Sequence, residues 1–218
     1  MVDIFVDVPS LLQQLDTAMD CTDKFTKRTL SDRCLERATT CERSLIDWLE
    51  TYAPKGWGIL GCPSLDHSNA TPDDIKDAHL MCLFWATYTL VLTVACSLPT
   101  SPADANTTSR KNTMLACCQS TARTIPVVFM GRAAAVSCYQ IASFPMFFTL
   151  EGLMSIEAPN VSEDQLRLLA LFMKPARGGG SLADFVMGLL EHSPVYQQTE
   201  AAKAIIALAS ERRLTQSG

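Results

Sequence analysis

Three closely spaced aspartates are the residues of this chain best suited to metal chemistry. Asp73, Asp74 and Asp77 form an Asp-Asp-x-x-Asp pattern within the segment DDIKD. Clustered carboxylates can hold Mg²⁺, and a bound Mg²⁺ can in turn hold a diphosphate. Such a site needs all three carboxylates to converge on a cavity, together with a second metal motif elsewhere in the chain.

The same aspartates also have a structural explanation. Thr71 followed by Pro72 is a strong helix start, because threonine is a good cap and proline suits the first helical position. Acidic side chains in the next turn stabilise the positive end of the helix dipole. The pattern resembles the metal-binding motif of class I terpene synthases, but residues 160–163 have the wrong spacing for a second motif. We therefore expect a structural triplet, with no metal or cofactor.

Cysteines and histidines could also support chemistry, and the chain has nine and three of them. No Cys-x2-Cys pair occurs, and Cys34 and Cys41 lie two helical turns apart, too far to share one zinc ion well. The cysteines are therefore expected to be reduced and buried as small apolar side chains. No histidine accompanies a cysteine or serine motif, so the sequence identifies no catalytic residue.

Charge and composition limit the class of partner. The net charge is −5, the isoelectric point is near 5.2, and the basic residues are scattered. A nucleic-acid binder usually has a basic face, so we expect no direct binding of nucleic acid. The first residues carry acids and no basic stretch, unlike a signal peptide, which favours a nuclear or cytoplasmic location.

The chain has two long apolar segments, residues 79–98 and 132–153. As its longest apolar elements, they must position any functional site. Each is long enough to span a bilayer, and each would equally suit the centre of a helical bundle. Threonines and a serine interrupt the first segment, Gln140 and Pro145 interrupt the second, and no belt of aromatic and basic residues flanks either. We therefore favour buried core helices over membrane insertion.

Apolar periodicity predicts an all-α protein, residues 1–218 forming a single helical domain of about seven to eight packed helices. The predicted helices are 8–21, 30–52, 71–98, 108–124, 131–153, 162–173, 182–192 and 199–213. Residues 53–71 and 99–107 are predicted loops, and glycine-rich 174–180 is a predicted flexible joint. Pro9 is expected in the first turn of its helix, Ser31 as a cap, and Pro126 as a helix stop.

The first two predicted helices have a buried stripe and a charged side. The stripe of the first holds Leu11, Leu12, Leu15 and Met19, and that of the second holds Leu35, Ala38, Leu45, Trp48, Leu49 and Tyr52. Glu36, Arg37, Glu42 and Arg43 are expected on the exposed side of the second helix.

Several aromatic and polar residues could line an apolar ligand pocket. The predicted pocket residues are His79, Trp85, Phe129, Met130, Tyr139, Gln140 and Phe147. At helical spacing the same residue types also fit an ordinary hydrophobic core, so the sequence leaves both interpretations open.

Three segments resemble the regulatory region of fungal binuclear zinc-cluster transcription factors. They are residues 83–92 with Leu83-Phe84-Trp85, residues 116–126 ending in Thr124-Ile125-Pro126, and the Phe144-Pro145 element. The resemblance implies an all-helical regulatory domain. The family's N-terminal six-cysteine, DNA-binding cluster is missing from this sequence. The resemblance is therefore consistent with a fragment of a longer regulator, a separate co-regulator, or a descendant of the fold reused in a metabolite pathway.

We therefore expect a fungal regulator-like helical domain that acts through protein partners, a homodimer included, and through an apolar effector. Secondary metabolism is its expected setting. The alternative is an enzyme or binding protein for a hydrophobic metabolite, such as a terpenoid or polyketide, that uses a cavity in the same helical fold.

Overall fold

The computed structural model describes residues 2–59, 61, 63, 70–98 and 105–130. These residues form four α-helices and no strand: α1 (Val2–Asp20), α2 (Lys24–Tyr52), α3 (Pro72–Ser97) and α4 (Ala105–Met130). The predicted all-α class is therefore confirmed for this part of the chain. The predicted helices after α4 and the 174–180 joint lie outside the described residues.

The first two helices form an antiparallel hairpin. Val8, Leu11 and Ala18 recur at helical spacing on the buried side of α1. The buried residues of α2 recur at the same spacing: Ser31, Cys34, Ala38, Cys41 and Leu45. The Cys34 thiol reaches the Leu11 carbonyl across the hairpin, at 3.9 Å, so the two stripes face each other.

The predicted start of α1 is wrong. The helix begins at Val2, so Pro9 lies inside it rather than in its first turn. An internal proline removes one backbone hydrogen bond. Ile4, in the turn before Pro9, packs against the core, and this burial favours continuing the helix past the proline. Met19 was expected on the buried stripe, but it is 49% exposed because it lies at the end of the helix.

The predicted start of α2 is also wrong. Asp23 is the cap, and its Oδ2 accepts a hydrogen bond from the Thr26 backbone N–H at 2.8 Å. Ser31, the predicted cap, is buried inside the helix. The earlier start shortens the connection from α1 to residues 21–23 and lengthens the paired part of the hairpin. Tyr52, expected on the buried stripe, is 69% exposed at the last residue of α2.

The third helix is buried on every side along most of its length. Side chains between Ala78 and Ala95 are buried at nearly every position, as the sequence predicts for a central helix. Thr87 and Thr93 do not need partners outside the helix, because they donate to the carbonyls of Leu83 and Thr89. By length and composition α3 alone among the described helices could cross a membrane, and 72% of its most apolar window is buried in the protein.

The fourth helix packs antiparallel against α3. Thr89 contacts Cys118 and Thr93 contacts Met114, so residue numbers rise on one helix as they fall on the other. The helix continues through Pro126 to Met130, and the predicted stop before Pro126 is wrong. The buried stripe of α4 continues past that point through Val127, and its packing outweighs one lost backbone hydrogen bond.

Candidate functional site

Two of the predicted pocket residues, His79 and Trp85, lie on α3. Trp85 is fully buried, and its indole Nε1 donates to the Gly58 carbonyl at 3.1 Å. The Trp57 ring lies over it, with ring centroids 5.9 Å apart and planes tilted by 43°. Trp85 is therefore covered by the chain segment that follows α2.

That segment, residues 53–61, is called the strap. It leaves α2 through a turn in which the Trp57 N–H donates to the Pro54 carbonyl at 3.1 Å, and the Gly58 N–H donates to the Gly61 carbonyl at 3.0 Å. Gly56 has a φ of 86°, a left-handed conformation that side-chain-bearing residues rarely adopt. Trp57 and Ile59 pack against the hydrophobic core, so the strap is attached mainly by its side chains.

His79 has a different environment. Its Nε2 is buried and has no hydrogen-bond partner among the described residues. Burial lowers the pKa of the His79 imidazole, which favours the neutral form. Six residues along a helix is a rotation of about 240°, so His79 and Trp85 point to different sides of α3.

The side chains of the other predicted pocket residues are outside the described part of the protein. Phe129 and Met130 lie in the last turn of α4, with side chains outside the described part of the protein. Tyr139, Gln140 and Phe147 lie outside the described residues.

A polar junction between α2, α3 and α4 was not predicted from the sequence. Arg110 of α4 binds Glu42 of α2 through Nε at 3.2 Å and Nη2 at 3.1 Å, and Nη2 also reaches Thr39 Oγ1 at 3.4 Å. The Tyr88 hydroxyl of α3 donates to the same carboxylate at 3.5 Å. Glu42 was expected on the exposed side, yet only 19% of its side chain is exposed.

This junction joins the helices rather than forming an open site. Burial is the largest cause that raises the pKa of the Tyr88 hydroxyl, and the nearby Glu42 carboxylate is the second. The hydroxyl therefore remains a protonated donor at neutral pH. The carboxylate of Glu42 accepts from Arg110 and Tyr88 together. We conclude that the polar groups of the junction mainly bind each other.

Burial makes the two adjacent cysteines of α4 poor nucleophiles. Cys34, Cys41, Cys82, Cys117 and Cys118 are buried, as the sequence predicts, and no disulfide joins the described cysteines. Burial raises the pKa of the Cys118 thiol to about 12 and that of Cys117 well above its usual range. Since the thiolate is the nucleophile, these two side chains behave as apolar groups.

The aspartate triplet begins α3. Asp74 Oδ2 accepts from the Thr71 N–H at 2.8 Å and the Thr71 hydroxyl at 2.7 Å, while Thr71 Oγ1 accepts from the Asp74 N–H at 3.2 Å. These bonds hold the pKa of the Asp74 carboxyl below its ordinary value. The predicted cap at Thr71 is therefore confirmed, and Asp74, which was expected only to stabilise the helix dipole, completes a capping box with it. Within the described ranges, no three His, Cys, Asp or Glu side chains are placed to share an ion.

Exposed apolar side chains occur mainly on the α1–α2 hairpin. Phe25 is 82% exposed and Met19 is 49% exposed, and they lie on either side of the turn at residues 21–23. The Lys27 ammonium donates to the Met19 carbonyl at 3.0 Å, which closes this end of the hairpin. We call Met19 and Phe25 the hairpin tip. Val6 and Tyr52, also exposed, lie far from it along their helices.

No protein-family model matches this chain, and no curated protein or solved structure matches it. The geometry of the strap, the junction and the hairpin tip is therefore what supports the functional proposal.

Proposed function

We propose that this chain is a helical regulatory domain of the fungal transcription-regulator type, without a DNA-binding cluster, which acts through protein partners. The observation that supports it is the hairpin tip, where Phe25 and Met19 expose apolar surface on either side of one turn. Large apolar side chains exposed at one end of a hairpin offer a surface that a protein partner can cover. The proposed setting is secondary metabolism, and the proposed location is the nucleus or cytoplasm.

The described chemistry favours binding over catalysis. Arg110, Glu42 and Tyr88 bind each other, and the buried Cys117 and Cys118 thiols stay protonated. The net charge of −5 disfavours direct contact with nucleic acid. Partners on this proposal are proteins, including a second copy of the chain, with an apolar small molecule as effector and no membrane. The remaining helices, which bring the total to about seven to eight in one domain, are proposed for residues 131–218.

The direct test is a tethered reporter assay. The full chain is fused to an unrelated DNA-binding domain in a fungal host, and output is measured from a promoter that carries the matching site. We expect at least a several-fold change in reporter level, up or down, relative to the DNA-binding domain alone. Phe25→Asp combined with Met19→Asp should return the reporter to the baseline, because charges at the tip oppose an apolar contact.

The matched control is Thr40→Asp, which adds a charge to an exposed position of the same helix, about four turns from Phe25. It should leave the reporter response unchanged. Immunoblots must show equal amounts of all fusions. A reporter that stays at baseline with the parent fusion, or that responds equally with the tip variant, would contradict the proposal.

A second candidate function is the binding of a hydrophobic metabolite, and His79 is the observation that favours it. A buried imidazole nitrogen without a described partner could bind a polar group of an otherwise apolar ligand. If His79 binds such a ligand, His79→Leu should abolish ligand-induced stabilisation by extracts of the producing organism. Equal stabilisation of parent and variant would exclude this role for His79.

A further inference from the structure

The strap attaches an aromatic residue to the central helix through few contacts. Trp57 comes from a segment without helix or strand, yet its ring covers Trp85, the largest of the fully buried side chains. The Trp85 indole has a single N–H donor, and the Gly58 carbonyl accepts it. One ring contact and one hydrogen bond therefore join the described strap to Trp85, and Ile59 adds packing against the core.

The strap also lacks close packing around its glycines. A Cβ added at Gly58 or Gly61 would meet no atom within 4 Å, and one at Gly56 would meet only Pro63, at 3.7 Å. Two turn hydrogen bonds join the described residues of the strap, whereas each helix beside it has a continuous backbone ladder, so the strap opens at lower free energy than those helices. The left-handed Gly56 fixes the course of the strap, and that conformation is lost easily on substitution.

We propose that the strap is an autoinhibitory occupant of the Trp85 position, which a partner protein displaces with an aromatic residue followed by an extended backbone carbonyl. This inference rests on the proposed protein-interaction function. The chemistry of the partner follows from what Trp85 requires. Its ring needs an apolar cover, and its buried N–H needs an acceptor, since leaving it unpaired is costly. A regular helix uses most of its own carbonyls internally, so the displacing segment is extended.

The test supplies the strap in trans. A fluorescent peptide with the sequence of residues 53–61 is titrated into the full-length parent and into full-length Trp57→Ser, and binding is followed by fluorescence anisotropy. The parent should bind weakly, because its own strap occupies the position. Trp57→Ser should bind at least about tenfold more tightly, since the peptide then restores the missing ring. A peptide carrying serine in place of Trp57 should not bind either protein.

Gly56→Ala provides a second, graded variant that keeps Trp57. Alanine is strained at a φ of 86°, so the strap should loosen and peptide affinity should rise severalfold. Gly61→Ala is the matched control, because its added methyl group meets nothing within 4 Å and its carbonyl is retained. It should bind the peptide like the parent.

Circular dichroism and melting curves decide whether each variant is folded, and if Trp57→Ser unfolds, Gly56→Ala alone decides the outcome. Equal peptide affinity in the parent and in a folded Trp57→Ser or Gly56→Ala protein would overturn the proposal. Binding of the serine peptide as tightly as the tryptophan peptide would also overturn it. Peptide binding does not depend on reporter output, so this inference and the proposed function can fail separately.

Discussion

The two helical hairpins of this protein are built on opposite principles. The α1–α2 hairpin is amphipathic, with a narrow buried stripe of small residues such as Cys34, Ala38 and Cys41 and charged or apolar groups outside. In the α3–α4 hairpin, α3 is buried all round, and its large side chains, Phe84 and Trp85, are fully enclosed. The first hairpin therefore contributes exposed surface and one side of the core, with Leu11 and Leu45 fully buried, and the second contributes the centre of the core.

The ion pairs show the same contrast. Arg37 and Asp7 meet on the outside of α1–α2 at 3.3 Å, with 35% and 58% of their side chains exposed. Arg110 and Glu42 meet at 3.1 Å between the hairpins, with 13% and 19% exposed. Water screens the first pair more strongly, so equal geometry does not mean equal stabilisation. Burial of a contact, rather than its type, separates the two regions.

The largest expected difference comes from the centres of the hairpins. Trp85→Ala should lower the free energy of unfolding by about 3–5 kcal/mol, the range for a large aromatic residue removed from a core. Cys41→Ala, in the narrow stripe, removes little more than one methyl-sized group and should cost about 0.5–1.5 kcal/mol. Urea denaturation of both variants measures the difference. Equal midpoints would mean that α3 is not the structural centre.

The ion pairs should differ by a smaller amount. A double-mutant cycle with Arg110→Ala and Glu42→Ala should give a coupling of about 1.5–3 kcal/mol, as for charged hydrogen bonds shielded from water. The cycle with Arg37→Ala and Asp7→Ala should give about 0.2–1 kcal/mol and weaken more in high salt. Couplings of the same size would remove this distinction between the hairpins.

Helix caps sharpen the comparison further, since α2 and α3 both begin with a capping side chain. Thr71→Ala should cost about 0.5–2 kcal/mol, because it removes half of a reciprocal capping box. The Asp74 carboxyl, through its bonds to Thr71, has a pKa below 3.8 in the folded protein. Its contribution is therefore complete above about pH 5, where the carboxyl of the unfolded chain is also ionised, and is lost as pH falls through the lowered value.

Melting of the parent and Asp74→Asn over a pH series checks this. The difference in Tm should be constant above about pH 5 and should shrink on further acidification. Asp23 behaves the same way at the start of α2, since its hydrogen bonds to Thr26 also lower its pKa. A Tm difference for Asp74→Asn that grows in acid would contradict the sign of the shift.

The smallest effect is expected from the two aspartates outside the capping box. Asp73→Asn combined with Asp77→Asn should cost only about 0.3–1 kcal/mol for each lost dipole contact. We also expect no change in Tm when Mg²⁺ and diphosphate are added to the parent. A rise in Tm that needs both, and that the double variant abolishes, would favour a metal-dependent enzyme over a regulatory domain.

Local signals predicted the beginning of α3 but not the beginnings of α1 and α2. Thr71 and Pro72 have one interpretation. The chain around the start of α2 offers several cap-type residues, among them Asp23 and Ser31, and only the hairpin selects between them. Proline rules failed at Pro9 and Pro126 because tertiary packing on both sides of each proline outweighs one backbone hydrogen bond. The buried nature of α3 followed from its uniform apolarity.

The sites were less predictable than the helices. Trp85 was predicted either as a pocket residue or as ordinary core, and it is buried. Its partner Trp57 lies in a loop, where periodicity carries no information. Glu42 and Arg110 are far apart in sequence and resemble ordinary surface residues until three helices meet. His79 and Trp85 appeared together in the predicted pocket, and the helical rotation between them separates the two side chains.

The uniform apolarity of α3 also has a consequence for the nascent chain. Judged by length and composition alone, this helix could enter a membrane. The ribosome releases α1 and α2 before α3, and domains can begin folding during synthesis. The α1–α2 hairpin has therefore been synthesised when α3 leaves the ribosome. Its Trp48 and Leu45 provide an apolar surface against which α3 packs. A circular permutation that placed α3 first would present a bilayer-length apolar segment to the cell before its cover had been made.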